Sequence, residues 1–124
     1  MPTKVLVIDD DGDILESLGG LLGNEGFEVH CEDSAEGGLE RLERVMPDVV
    51  ILDLVFHGSK TGGFDAARLI RARHPALPVI ALSAIEREYA LDFARDELSV
   101  DAFLVKPARI EALAELIRRH APGT

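Results

Sequence analysis

The chain has 124 residues, a formal charge of −10 from 23 Asp and Glu against 13 Lys and Arg, and 47% hydrophobic residues with no Trp. That bounds it to one ordinary domain with an aliphatic core, expected over residues 1–124 with about 3–120 ordered. The acidity disfavours nucleic acid, which needs a basic patch, and no apolar run approaches the roughly 20 residues of a membrane span.

Met1-Pro2-Thr3-Lys4 passes directly into Val5-Leu6-Val7-Ile8, which leaves no room for a signal peptide and makes a soluble cytoplasmic protein the expectation. Val5–Ile8 is a continuous apolar strand. Ile14, Leu15, Leu18, Leu21 and Leu22 follow at helical spacing, weakened by Gly19, Gly20 and Gly23 and ended by Asn24-Glu25-Gly26. Phe27–Cys31 reads as a second strand. Its lone cysteine excludes an internal disulfide and a cysteine metal site, and is expected to be a small core residue. Ser34 is placed to cap a helix carrying Leu39, Leu42 and Val45, stopped by Pro47.

Val49–Leu52 is the third strand. A glycine-rich loop, His57–Gly63, leads to a helix marked by Phe64, Ala67, Leu69 and Ile70 and closed by His74-Pro75. Arg68, Arg71, Arg73 and His74 form the candidate basic cluster and read as an exposed helix face. Pro78 opens the strand Val79–Leu82, and Arg87–Leu98 reads as helical with Tyr89, Ala90, Phe93 and Ala94 on one side. Ala102–Val105 is a fifth strand, and Ile110, Leu113, Leu116 and Ile117 mark a last amphipathic helix before a tail, residues 121–124, expected to fray. The order is β-α five times over. Continuous apolar strands imply burial on both faces, hence an α/β fold with a parallel sheet between helix layers.

Ligands of such sheets bind beyond the carboxyl ends of the strands. Those ends here are Asp9-Asp10-Asp11, Asp53, Ser83 and Lys106-Pro107. Clustered carboxylates repel unless a cation neutralises them, and oxygen ligands at a half-open site suit Mg²⁺ with a phosphate. A carboxylate can act as a nucleophile towards phosphorus, and the developing charge needs donors such as Ser83 and Lys106. Taken singly, each of these residues reads as a turn, a cap or a loop. The acidic run Asp9–Asp13 also suits the start of a helix, where negative charge is favoured. The argument rests on all of them falling on the correct strand ends.

The segments VLVIDDD (5–11), DVVILDL (48–54), GGFDAARLIRARHPALPVIALSA (62–84) and AFLVKP (102–107) together resemble the receiver domains of two-component response regulators, over nearly the whole chain. The resemblance implies a doubly wound, flavodoxin-like (βα)5 sheet with strand order 2-1-3-4-5. It implies Asp53 as phosphoacceptor, Asp10 as direct Mg²⁺ ligand, Asp9 acting mainly through water, and the Val55 backbone carbonyl as a further ligand. Ser83 and Lys106 would engage the phosphoryl group. Ser83 and Phe103 would form the switch, and Lys106-Pro107 would be a cis peptide. The implied partners are a sensor histidine kinase or histidine phosphotransfer protein and a downstream protein or attached output domain, with Tyr89, Arg95 and Arg109 as candidate contacts. A homodimer stays open, as does whether the chain stands alone. The chain departs from the family at His57, where proline is usual, at a loop two residues longer before Gly63, at Ser99-Val100, and in a Ser83–Lys106 segment one residue longer. These changes bear on the switching surface and not on the acid cluster.

Two rival functions use the same residues. In a haloacid-dehalogenase-type phosphatase, Asp9 would be the nucleophile and Asp11 the acid/base. Against it, Asp13 replaces the usual Thr or Val, no acidic pair follows Lys106, and Asp53 is left without a role. In a receiver-like binding module no phosphorylation occurs, and the intact acid cluster argues against that. Gly58-Ser59-Lys60-Thr61 fails as a P-loop, Asp9–Asp13 fails as an EF-hand, and His30, His57, His74 and His120 lack metal spacing.

Overall fold

The computed structural model describes residues 2–54, 62–83 and 100–121. The helix expected over Arg87–Leu98, Val55 and the loop from His57 to Thr61 lie outside the described residues, as does the side chain of Ser83. The described elements run β1 (Lys4–Ile8), α1 (Gly12–Asn24), β2 (Glu28–Glu32), α2 (Ala35–Val45), β3 (Val49–Leu52), α3 (Gly62–Arg73), β4 (Val79–Ser83), β5 (Ala102–Val105) and α4 (Ile110–His120). All strand pairs are parallel, and the sheet order is β2-β1-β3-β4-β5.

Alternation along the central strands divides the core in two. Leu6 and Ile8 of β1, with Val50 and Leu52 of β3, pack with Leu42 of α2 and Ala66, Ala67 and Ile70 of α3. Val5, Val7, Val49 and Ile51 face the other way, onto Leu18 and Leu22 of α1 and Leu113, Ala114 and Ile117 of α4. Burial on both faces therefore holds for β1 and β3. It does not hold for β2 and β5, where every residue is half-buried or exposed. Both are edge strands, covered by fewer neighbours than a central strand. Cys31 is corrected accordingly. It sits half-buried on the edge strand β2, with its thiol 3.7 Å from the Leu15 carbonyl, and burial pushes the thiol pKa up.

In the candidate basic cluster Arg68 and Arg73 are exposed as expected, while Arg71 and His74 are only half-exposed. Arg71 is not a solvated face residue. Its guanidinium donates to the carbonyls of Pro75 and Leu77 and to Asp101, whose carboxylate also accepts from the Val79 amide. This ties the end of α3 to the starts of β4 and β5. His74 pairs with Glu43 of α2 at 3.1 Å.

Two glycines matter locally. Gly26 takes φ 96° in the turn from α1 into β2, a region open to glycine at little cost. At Gly38, α2 lies so close to β1 that an added Cβ would stand 2.5 Å from Cδ1 of Ile8. The close approach seats α2 on the residue that precedes Asp9.

Met46 ends α2 in the left-handed region, φ 54°, while 61% exposed. A side chain pays strain there that glycine escapes. Met46→Gly is expected to raise stability by about 0.5–1 kcal/mol in urea unfolding. A loss of stability would show that the Met46 side chain contributes packing that outweighs the strain.

Candidate functional site: an acid cluster at the carboxyl ends of the strands

Register builds the site. Ile8 of β1 is paired with Leu52 of β3 and with Glu32 of β2. The next residue on each central strand, Asp9 and Asp53, therefore emerges on the same rim. The ladder continues one step, with the Asp53 amide donating to the Ile8 carbonyl at 2.9 Å and the Asp9 amide to the Glu32 carbonyl at 3.1 Å. On the other side of the sheet Ser83 pairs with Val105, which brings Lys106 to the same end.

Carboxylate oxygens of Asp9, Asp10 and Asp53 all lie within 4.8 Å of one another, a group that could hold a metal ion. Asp9 is 1% exposed and Asp53 4%, so water screens these two charges poorly. Lys106 supplies a compensating cation. Its ammonium is 2.7 Å from Oδ2 of Asp9 and 3.4 Å from Oδ2 of Asp53. Burial alone would lower the Lys106 pKa, but the hydrogen bond to Asp9 and the charges of Asp53 and Asp9 outweigh it and hold the pKa above the ordinary lysine value. Removing one partner of such a buried pair typically costs about 3–5 kcal/mol, since the other charge is left uncompensated. The Lys106-Pro107 peptide is cis, in agreement with the resemblance.

The acidic run divides into distinct roles. Oδ1 of Asp9 accepts from the Asp11 amide at 2.9 Å, which fixes the turn leaving β1. Asp11 caps α1: its Oδ1 accepts from the amides of Asp13 at 3.0 Å and Ile14 at 3.3 Å. That employs Asp11 as a helix cap, the bland reading of the acidic run, and it is absent from the metal-capable group. Phe103 is half-buried on β5 and packs against the core layer of α2 and α3. Ser83 occupies the end of β4 as expected. Sequence reasoning missed Glu32. Its backbone carbonyl anchors Asp9, and backbone acceptors carry no residue-type signal. Its side chain pairs with Arg41 of α2 at 2.7 Å.

The response regulator receiver domain family matches residues 5–118. The chain belongs to this family. It is 38% identical to response regulator protein FleR of Pseudomonas aeruginosa, over 99% of this chain and 25% of FleR. It is 31% identical to response regulator MprA of a Mycobacterium species, over 98% of this chain and 54% of MprA. The receiver domain thus spans between a quarter and about half the length of these curated relatives. Among solved structures it is similar to the receiver domain of NtrX from Brucella abortus, with a TM-score of 0.85 and 29% identity over 97% of this chain and 99% of that one. A CheY-like receiver domain protein from Methanospirillum hungatei shares the fold, with a TM-score of 0.86 at 24% identity over 96% and 93% of the two chains. Among the described residues no helix is long and apolar enough to cross a membrane.

If Asp11 is a cap, Asp11→Ala should cost about 1 kcal/mol of stability, and Asp11→Ser should recover most of it. Equilibrium unfolding of the two variants measures this. An Asp11→Ala protein of unchanged stability would reopen a chemical role for the side chain.

Proposed function

We propose that this receiver domain accepts a phosphoryl group on Asp53 with Mg²⁺ bound at Asp9, Asp10 and Asp53. The observation that carries the reading is the convergence of those three carboxylates with the Lys106 ammonium at one rim. The donor set is entirely oxygen and half-open, which fits a hard divalent cation that keeps some of its water. Asp10 and Asp53 are assigned as direct ligands with the Val55 carbonyl, and Asp9 is assigned an indirect part.

A carboxylate oxygen of Asp53 attacks phosphorus. As that O–P bond forms, the bond from phosphorus to the donor breaks, and its electron pair leaves with the donor group, a histidine nitrogen when the donor is a sensor kinase or phosphotransfer protein. A Mg²⁺ ion held by the carboxylate group would supply positive charge to offset the negative charge that grows on the phosphoryl group. Lys106 stands 3.4 Å from the Asp53 oxygen and is poised to meet the same charge as it grows. Ser83, one register step from Lys106, is assigned the hydrogen bond that couples the phosphoryl group to Phe103. Residues 1–124 act as a single receiver unit, and the partners are a phosphodonor protein and a downstream protein or output domain. The phosphatase reading is disfavoured by the capping role of Asp11, which that reading needs as acid/base.

Asp53→Asn keeps shape and removes the nucleophile. After acetyl phosphate and Mg²⁺, mass spectrometry is expected to show one added phosphoryl on the native chain and none on Asp53→Asn. Label mapped to Asp9 would overturn the assignment in favour of the phosphatase-type nucleophile. Mg²⁺ should also raise the melting temperature of the native protein by mass action on the folded state. That rise should vanish in Asp10→Ala and persist in Asp11→Ala, and the reverse order would remove Asp10 as a ligand.

A further inference from the structure

The end of the sheet opposite the acid cluster carries a pocket of about 370 Å³, between the last turn of α2 and the turn from α3 into β4. Its floor is buried and apolar, made by Leu42 and Pro47. Its rim is exposed, with Met46 from the end of α2 and Arg73 and Ala76 from the end of α3 and the turn after it. Met46 is held 61% exposed in the left-handed region, where glycine would escape the strain. Arg73 has no carboxylate partner among the described residues, whereas every other described arginine has one at 3.9 Å or less. His74 beside it is already engaged by Glu43. The exposed Leu69 stands one turn before Arg73 on the same face of α3 and extends the apolar strip past the cation. In a chain of formal charge −10, a cation left unpaired at the mouth of an apolar pocket is complementary to an acidic group beside an apolar one.

We infer that this pocket docks a segment of a partner protein in which a large apolar side chain is flanked by an acidic one. The apolar side chain covers Leu42 and Pro47 and packs on the Met46 thioether, which adapts its shape to a ligand. The acidic side chain meets the Arg73 guanidinium, whose planar fork suits a carboxylate. A peptide fits this place better than a free carboxylate molecule. α2 and α3 both end here, so the negative ends of two helix dipoles meet at the pocket, and a backbone that brings N–H donors beside its acid offsets them. A second copy fits less well, because two chains of formal charge −10 repel each other. The pocket lies at the starts of β3 and β4, and Asp53 follows the end of β3. A partner docked here therefore holds the receiver while leaving the acid cluster open to a phosphodonor.

The test is an NMR titration of the isotopically labelled protein with a capped pentapeptide, Ser-Asp-Phe-Asp-Ser, as the probe. Signals of Met46, Arg73 and Ala76 should shift together and saturate with one dissociation constant of about 0.1–1 mM. A peptide with Asn in place of both Asp, and another with Ala in place of Phe, should each bind roughly fivefold more weakly. In the protein, Arg73→Gln and Met46→Gly should each weaken the probe by about the same factor. Both residues are exposed, so both variants should keep the native fold, checked by unshifted signals from β1 and β3. No shift at Met46, Arg73 and Ala76 with probe at about 5 mM, or native affinity in either variant, overturns the site. Phenylpropionate binding as tightly as the pentapeptide overturns the peptide as occupant in favour of a small carboxylate. Concentration-dependent shifts of the same residues without probe, together with a dimer in sedimentation, overturn it in favour of a second copy.

Discussion

Asp9 and Asp53 stand side by side because β1 and β3 are parallel and paired Ile8 to Leu52. The remaining features of the site depend on that register. It places two carboxylates in a nearly dry corner, where their repulsion is strong and must be offset by a positive charge. A one-residue slip between the strands would turn one of the carboxylates into the helix layers, an outcome the buried Ile8 and Leu52 forbid. The hydrophobic core therefore enforces an electrostatic arrangement that is unfavourable taken alone.

That arrangement is held from several directions. The backbone of β2 accepts the Asp9 amide through Glu32, and α2 presses Gly38 onto Ile8. Asp11 starts α1 immediately after the turn that Asp9 closes. Lys106 then reaches in from the opposite edge of the sheet. The lower end of the fold is fastened separately, by Arg71 and Asp101 bridging α3, β4 and β5. Strain that active sites store is sustained only where the surroundings over-determine the geometry, and these ties meet that requirement.

A row of acids after a strand fits several chemistries, and the structure gives its members different contacts. Asp11 spends its oxygen on the first turn of α1, and Asp9 divides its own between an amide and an ammonium. Asp11 is thereby tied to the helix start and not to the cluster. Asp53 lies at the centre of the rim, within reach of the lysine and of the other two carboxylates.

Much of this was legible in the chain before folding. Apolar runs at Val5–Ile8 and Val49–Leu52 announce buried parallel strands, because only strands covered on both faces lack polar alternation. Strand-end residues follow from the runs, which is why Asp9, Asp10, Asp53, Ser83 and Lys106 could be named from position. Edge and centre could not be told apart that way. Strand order is a non-local property, and so Cys31 is only half-buried and Arg71 is tied to Asp101 across three elements. The partner of Lys106 was equally out of reach. Residue types place a cation among acids, but a preference for Asp9 at 2.7 Å over Asp53 at 3.4 Å depends on how the four strands from β1 to β5 twist past one another at the rim, and local sequence carries no record of that.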